Sequence, residues 1–286
     1  MKSSVATLTH FPLGRDKNGL ATIFDKAVLK NLADIPKEFE WSSEELVQSS
    51  QEELHHGLFQ VINHGVDLDL IKAAYEEIST VFNLPMSKKL TAQKKPDSLV
   101  EYAGAREDRF TSKLPWKETL AFQNDYNKDS KSQVVDFFNT AFGVELQHPG
   151  CNLYPACTVD NNLTLGTGPH RDPTGLTFLY QDQVGGLEVF VDNKWKALSY
   201  SPDQFIVNVG NTFMALTNGR YKSCLHRVLV NKEMERKSMA LFVNPRGGKI
   251  VSPPQNLFSK EEPRKYPDFT WKEFRYFPQK YQKTDC

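Results

Sequence analysis

Leu176-Thr177-Phe178-Leu179-Tyr180-Gln181-Asp182-Gln183-Val184-Gly185-Gly186-Leu187-Glu188-Val189-Phe190-Val191 sets two short apolar runs on either side of a Gly-Gly break. Each run has the length of a strand, and paired glycines supply the positive φ that a tight turn needs. Further runs follow at Phe205 to Val209, Phe213 to Leu216, Cys224 to Val230 and Met239 to Val243, with Asp192-Asn193 and Asn218-Gly219 as additional punctuation. Closely spaced strands broken by such turns predict an antiparallel sandwich or barrel over the second half of the chain.

The first half has a different period. Leu70, Ile71, Ala74, Tyr75, Ile78 and Phe82 recur at helical spacing over Asp67 to Phe82, directly after the compact run Leu58-Phe59-Gln60-Val61-Ile62. The pattern reads as strand, turn at Asn63-His64-Gly65, then amphipathic helix. His64 is expected to be satisfied by backbone in that turn and to bind no metal. A second helix is predicted from about Ser43 to His55-His56, a pair that suits the negative end of a helix dipole and is assigned no chemistry. The class is therefore α+β, in one large domain. Residues 1–150 form its N-terminal helical and strand portion, not independent of the sheet portion in residues 151–286.

With 286 residues and 39% apolar content the chain can bury a sizeable core. Lys+Arg and Asp+Glu are equal at 35, which removes the electrostatic reason to expect nucleic acid or an anionic membrane surface as partner. Small molecules are the expected partners, and a monomer is the expected state. No run approaches the roughly 20 apolar residues of a membrane span, and Met1 to Gly19 lacks a signal-peptide core, so a cytoplasmic location is expected. Cys151, Cys157, Cys224 and Cys286 form no C-x-x-C pair and are read as reduced, Cys224 being a small buried hydrophobe.

The chemistry lies in His170-Arg171-Asp172 and in His226 of Cys224-Leu225-His226-Arg227. Two imidazoles and a carboxylate are the ligand set of a mononuclear non-haem Fe(II) site. In an extended strand His170 and Asp172 would share a face, leaving Arg171 on the other. Zinc accepts the same ligand types. Two further pairs favour iron. Arg236 and Ser238, two apart ahead of Met239-Ala240-Leu241-Phe242-Val243, place a guanidinium fork and a hydroxyl on one face, as a bidentate carboxylate site requires. Asn152 and Tyr154 in Asn152-Leu153-Tyr154-Pro155 alternate in the same way. A zinc hydrolase needs no such fork, and no H-E-x-x-H helix is present. Arg236 lies in the charged run Lys232-Glu233-Met234-Glu235-Arg236-Lys237, but strand alternation puts it with Ser238 and leaves Glu235 and Lys237 outside.

In the order N-x-Y-P, H-x-D, H, R-x-S the chain resembles the plant 2-oxoglutarate and Fe(II)-dependent dioxygenases. Gly166-Thr167-Gly168-Pro169-His170, Gln181 to Leu187, Ala215 to Ser223 and Leu114-Pro115-Trp116-Lys117-Glu118-Thr119-Leu120 narrow the resemblance to the gibberellin 20-oxidases, over about Phe24 to Trp271. It implies a double-stranded β-helix, or jelly roll, with flanking helices. It also implies Fe(II) on His170, Asp172 and His226, with 2-oxoglutarate as cosubstrate. Arg236 and Ser238 would hold the far carboxylate of 2-oxoglutarate, and Asn152 and Tyr154 would complete its pocket. Molecular oxygen is the co-reactant and ascorbate the supporting reductant. The implied substrate is a gibberellin precursor, oxidised at carbon 20 from methyl to alcohol to aldehyde before that carbon is lost, with Lys117 a candidate partner for its carboxylate.

Two regions depart from the family. Only Ser42 to His55 intervenes between the stretch Ile35 to Trp41 and the strand that starts at His56, where relatives have a further strand and most of a helix, and Val144 to Gly150 joins Phe137-Phe138-Asn139-Thr140-Ala141-Phe142-Gly143 almost directly to Cys151, where relatives have long helices. Lost helices would bare apolar sheet surface and lower stability. Arg171 is also bulkier than the residue expected between two ligands. The alternatives are a sister plant dioxygenase of another small hydrophobic metabolite, or a shortened inactive variant that binds without turnover.

Overall fold

The computed structural model describes residues 24–29, 32, 34–41, 57–92, 100–105, 113–122, 144–159, 164–202, 204–246 and 248–276. A short helix α1 (Lys26–Leu29) precedes β1 (Leu58–Val61), α2 (Leu68–Phe82), α3 (Met86–Lys89), β2 (Val100–Gly104) and β3 (Glu118–Phe122). Then come β4 (Val144–Tyr154), β5 (Leu165–His170), β6 (Leu176–Gln181), β7 (Leu187–Val191), β8 (Lys194–Ala197) and β9 (Phe205–Val209). Helix α4 (Asn211–Leu216) and strands β10 (His226–Leu229) and β11 (Arg236–Pro245) complete the part that builds the site.

A seven-stranded sheet has the order β1-β9-β6-β11-β4-β3-β2, and a four-stranded sheet the order β5-β10-β7-β8. All pairings within them are antiparallel. Tyr154, Leu179, Ile206 and Ala240 from the larger sheet pack with Leu187 and Val228 from the smaller, so the two sheets close on one apolar interior. This is the jelly roll. Gly185 and Gly186, at φ 75° and 93°, carry the chain from β6 in one sheet to β7 in the other instead of closing a hairpin. Asp192 and Asn193, at φ 53° and 59°, close the β7–β8 hairpin as the turn signal predicts.

The helix over residues 68–82 forms as the periodicity requires, with the Asp67 carboxylate accepting from the Asp69 N–H at its start. Its buried Ile78 and Phe82 pack on Tyr102, Leu120, Cys151 and Leu153 of the larger sheet's outer face. His64 accepts at Nδ1 from the Val66 N–H, the expected backbone satisfaction. The predicted helix ending at His55-His56, the run Phe137 to Gly143 and Cys286 lie outside the described residues.

Three elements differ from the sequence reading. Phe213 to Leu216 is not a strand but the body of α4. Met, Ala and Leu favour a helix, and Asn218 and Gly219 in left-handed geometry end it, with the Gly219 N–H donating to Met214 O at 2.8 Å. Leu165–His170 is a strand despite two glycines and Pro169. It is an edge strand, where a missing N–H is tolerated. Val144 to Gly150, expected as a connection, is the first part of β4 and pairs with Ala240 to Pro245, with a bulge at His148-Pro149.

Under α2 and α3 lies an ion pair that the sequence gives no sign of. Lys89 Nζ is 2.5 Å from Glu118 Oε2, which also accepts from Tyr102 Oη at 3.0 Å. Burial raises the Glu118 pKa, and Lys89 and Tyr102 only partly counter it. Because Glu118 is fully buried, Lys89→Met should destabilise the protein by about 3–5 kcal/mol, read as a lower urea midpoint. Pairing it with Glu118→Leu should recover much of that loss. A single variant with the midpoint of the parent would contradict this reading of the pair.

Candidate active site

His170 ends β5 and His226 begins β10, and the register places them directly opposite one another. Their ring centroids are 4.2 Å apart. Asp172 lies two residues beyond the end of β5, not on the strand face expected from the H-x-D spacing. Its loop folds back. The Asn211 N–H donates to Asp172 O at 2.8 Å, Thr212 Oγ1 donates to Pro173 O at 2.6 Å, and Gly210 N–H donates to Gly175 O at 2.9 Å. A side chain at Gly210 would collide with Thr174 O, so glycine permits this docking. Asp172 Oδ1 thereby comes within 3.6 Å of His170 Nε2 and 3.7 Å of His226 Nε2.

The Nδ1 atoms face carbonyls, at 2.8 Å from Gly168 O for His170 and 3.2 Å from Cys224 O for His226. Each carbonyl accepts an Nδ1–H, and that tautomer leaves both Nε2 lone pairs for a common ligand. Burial, then the neighbouring His170, pushes the His226 pKa down to about 4, so the ring is neutral at pH 7. Burial alone would raise Asp172, but His226 and His170, with Thr177 and Asn208 beside them, hold it below the ordinary carboxylate value. Asp172 Oδ2 is buried with no hydrogen-bond partner among the described residues. One carboxylate and two imidazoles, with ligand atoms within 4.8 Å of one another, fit a divalent cation.

Strand alternation holds for the second group. In the β11–β4 register Arg236 faces Tyr154 and Ser238 faces Asn152. Arg236 is 1% exposed, yet no carboxylate pairs with it among the described residues. Its contacts are neutral: Nη2 donates to Gln181 Oε1 at 3.0 Å, Nη1 to Ser238 Oγ at 3.4 Å, and the guanidinium lies 4.8 Å from the Tyr154 ring centre. A buried cation in this state fits an anionic ligand. Burial would raise the Tyr154 pKa, but Lys117 and Arg236, with hydrogen bonds to Thr167 and Ser238, more than offset it and lower it. Lys117 is half-buried and its charge reaches that hydroxyl, so it is not simply an exposed lysine beside Glu118. Asn152 Oδ1 accepts from Thr119 Oγ1 at 2.9 Å.

Cys151, Cys157 and Cys224 are free and buried, as expected. Cys224 packs with Val189 and Val191, and its Sγ is 3.7 Å from His226 Nδ1. Arg171 donates to Ser223 O, tying the loop that carries Asp172 to the segment that leads into His226. The residues that sequence reasoning passed over are Gln181 and Thr119. Both belong to motifs quoted for resemblance, and their alternation with Leu179 and Ala121 along β6 and β3 is the signal that finds them.

Residues 139–245 match the 2OG-Fe(II) oxygenase superfamily, and residues 38–141 match the family described as non-haem dioxygenase in morphine synthesis N-terminal. Gibberellin 20 oxidase 2 of Arabidopsis thaliana is 37% identical over 332 residues, covering 92% of this chain and 88% of the relative. That alignment is longer than the 286 residues of the chain, so the relative carries segments that this chain lacks. Gibberellin 20 oxidase 3 of the same plant is 44% identical over 277 residues, covering 80% of this chain and 73% of the relative. Among solved structures, JOX2 in complex with 2OG, Fe and JA is similar at 28% identity and a TM-score of 0.72, covering 88% of this chain and 92% of that one. The rice dioxygenase for auxin oxidation shares the fold at 24% identity and a TM-score of 0.64, covering 80% and 87%. No described helix is long and apolar enough to cross a membrane. With relatives aligned along most of its length and a His-Asp-His cluster beside strands β5 and β10, the chain belongs to the plant 2-oxoglutarate and Fe(II)-dependent dioxygenases, among relatives that are gibberellin 20 oxidases.

Proposed function

We propose that this chain oxidises a gibberellin precursor at carbon 20. His170, Asp172 and His226 hold one Fe(II), Arg236, Ser238, Asn152 and Tyr154 seat 2-oxoglutarate, and Lys117 pairs with a carboxylate of the precursor. The observation that carries the reading is the buried Arg236 without a carboxylate partner among the described residues, in the same jelly-roll interior as an ionised Asp172 flanked by two histidines. The names of the relatives at 37% and 44% identity support the substrate class.

Bound Fe(II), with 2-oxoglutarate as electron donor and ascorbate as supporting reductant, supplies the activation of molecular oxygen that an unactivated carbon demands. The chain supplies placement. Carbonyl contacts at both Nδ1 atoms fix the tautomer and aim the imidazoles through Nε2, and the docked loop sets Asp172 between them. The apolar wall of Leu179, Leu187, Ile206 and Val228 excludes water from the interior. Lys117, half-buried with its charge acting on the Tyr154 hydroxyl, brings a positive charge to where an acidic substrate would lie.

The test is purified protein with Fe(II), ascorbate and 2-oxoglutarate, followed for succinate with and without a gibberellin precursor. Substrate-dependent succinate should appear together with a product carrying added oxygen or lacking carbon 20, read by mass spectrometry. Turnover of an unrelated small acid alone would support a sister dioxygenase. Iron and 2-oxoglutarate binding without succinate from any substrate would mark the shortened chain as a binding-only variant.

A further inference from the structure

We propose that Gln181 is a further residue of the cosubstrate site. Its carbonyl positions the Arg236 fork, and its amide N–H groups donate to the distal carboxylate of 2-oxoglutarate. The inference rests on the reading of Arg236 given above.

Gln181 on β6 pairs with Ser238 on β11, which pairs with Asn152 on β4, and directly opposite residues in a sheet project from the same face. Gln181 therefore shares an interior row with two residues of the proposed cosubstrate site, one step from the Arg236–Tyr154 row. A guanidinium has donors and no acceptor, so the amide must offer it Oε1, and the 3.0 Å contact has that sense. Orienting the amide in this way turns Nε2 away from Arg236.

That nitrogen is buried, in a residue 3% exposed, and has no hydrogen-bond partner among the described residues. Arg236 Nε is in the same state. Asp182, the next residue and the nearest carboxylate in sequence, is engaged elsewhere, accepting from the Lys237 and Val184 N–H groups at 2.5 Å and 3.1 Å. The two buried unsatisfied atoms on Gln181 and Arg236 are thus both donors. Buried donors left unmade are costly, so this cluster suits a ligand that brings acceptors, and a carboxylate brings two oxygens. Gln181 would then favour a 2-oxo diacid over a 2-oxo acid of the same length ending in a methyl group.

The experiment measures dissociation constants by anaerobic calorimetry on Fe(II)-loaded protein, using 2-oxoglutarate and 2-oxopentanoate as the two probes. Wild type should prefer 2-oxoglutarate. Gln181→Leu removes both the carbonyl and the amide donors at similar volume. It should weaken 2-oxoglutarate about tenfold or more, the loss of one hydrogen bond to a charged group, while 2-oxopentanoate stays within about a factor of two. Gln181→Glu sets a carboxylate on Arg236, so it should fold and bind iron but lose the preference for the diacid. Equal weakening of both probes in Gln181→Leu, or an unchanged preference in either variant, would overturn the role of Gln181 while leaving Arg236 as the anchor. A wild type that does not distinguish the two probes would overturn the Arg236 reading itself.

Discussion

His226→Ala should bind Fe(II) at least a hundredfold more weakly and lose detectable turnover in the same step. His226 begins β10 directly opposite His170, so the substitution removes one of two facing Nε2 atoms and leaves His170 and Asp172. Two ligands hold iron far less well than three, and Asp172 then keeps a buried, poorly compensated charge. The metal-free variant should also respond differently to acid. In the parent the His226 pKa is about 4, below the unfolded value of roughly 6.5, so the unfolded chain takes up the proton first. The parent apoprotein should therefore lose stability as pH falls through that interval, and His226→Ala should lose less over the same range. Iron content after gel filtration and urea midpoints at pH 7 and pH 5 would measure both effects. Full iron occupancy with parental turnover in the variant would remove His226 from the site.

Parts of this site could be read directly because local rules decided them. Arg236 with Ser238, and Asn152 with Tyr154, alternate within strands that form where the pattern puts them, and the cross-strand register joins the two pairs. The H-x-D spacing predicts that His170 and Asp172 share a strand face, but the strand stops at His170, and Asp172 is brought beside it by a loop fixed through Asn211, Thr212 and Gly210. Those contacts span about forty residues, and no local pattern encodes them. The same limit explains α4. Phe213 to Leu216 is short and apolar, and only its capping by Asn218-Gly219 and its packing on Val251, Tyr266 and Trp271 make it helical. β5 was hidden for the opposite reason, since Gly166, Gly168 and Pro169 argue against a strand. The glycines are required by close neighbours: a side chain at Gly168 would collide with Trp41 and one at Gly166 with Tyr154. The ion pair of Lys89 with Glu118 joins residues that neither period nor motif connects.

Arg236→Lys should raise the 2-oxoglutarate concentration needed for half-maximal succinate formation by about 10- to 100-fold and leave Fe(II) affinity nearly unchanged. The guanidinium here is held on three sides, by the Gln181 carbonyl, the Ser238 hydroxyl and the Tyr154 ring, which fixes the plane of its fork. A lysine ammonium keeps the charge but offers a point, so it can neither stack on Tyr154 in the same way nor donate in parallel to both oxygens of a carboxylate. Losing one charge-assisted hydrogen bond costs about 1.5–3 kcal/mol, and that range sets the expected factor. Fold stability should fall only modestly, because Lys can direct its ammonium toward Gln181 Oε1. The proposed iron ligands lie on β5, β10 and the loop after β5, none of which carries Arg236, and this separation lets the two affinities divide. Titrating 2-oxoglutarate at saturating Fe(II), and Fe(II) at saturating 2-oxoglutarate, in parent and variant measures that division. Equal 2-oxoglutarate requirements in the two proteins would mean that the buried guanidinium serves packing and that the far carboxylate is held elsewhere.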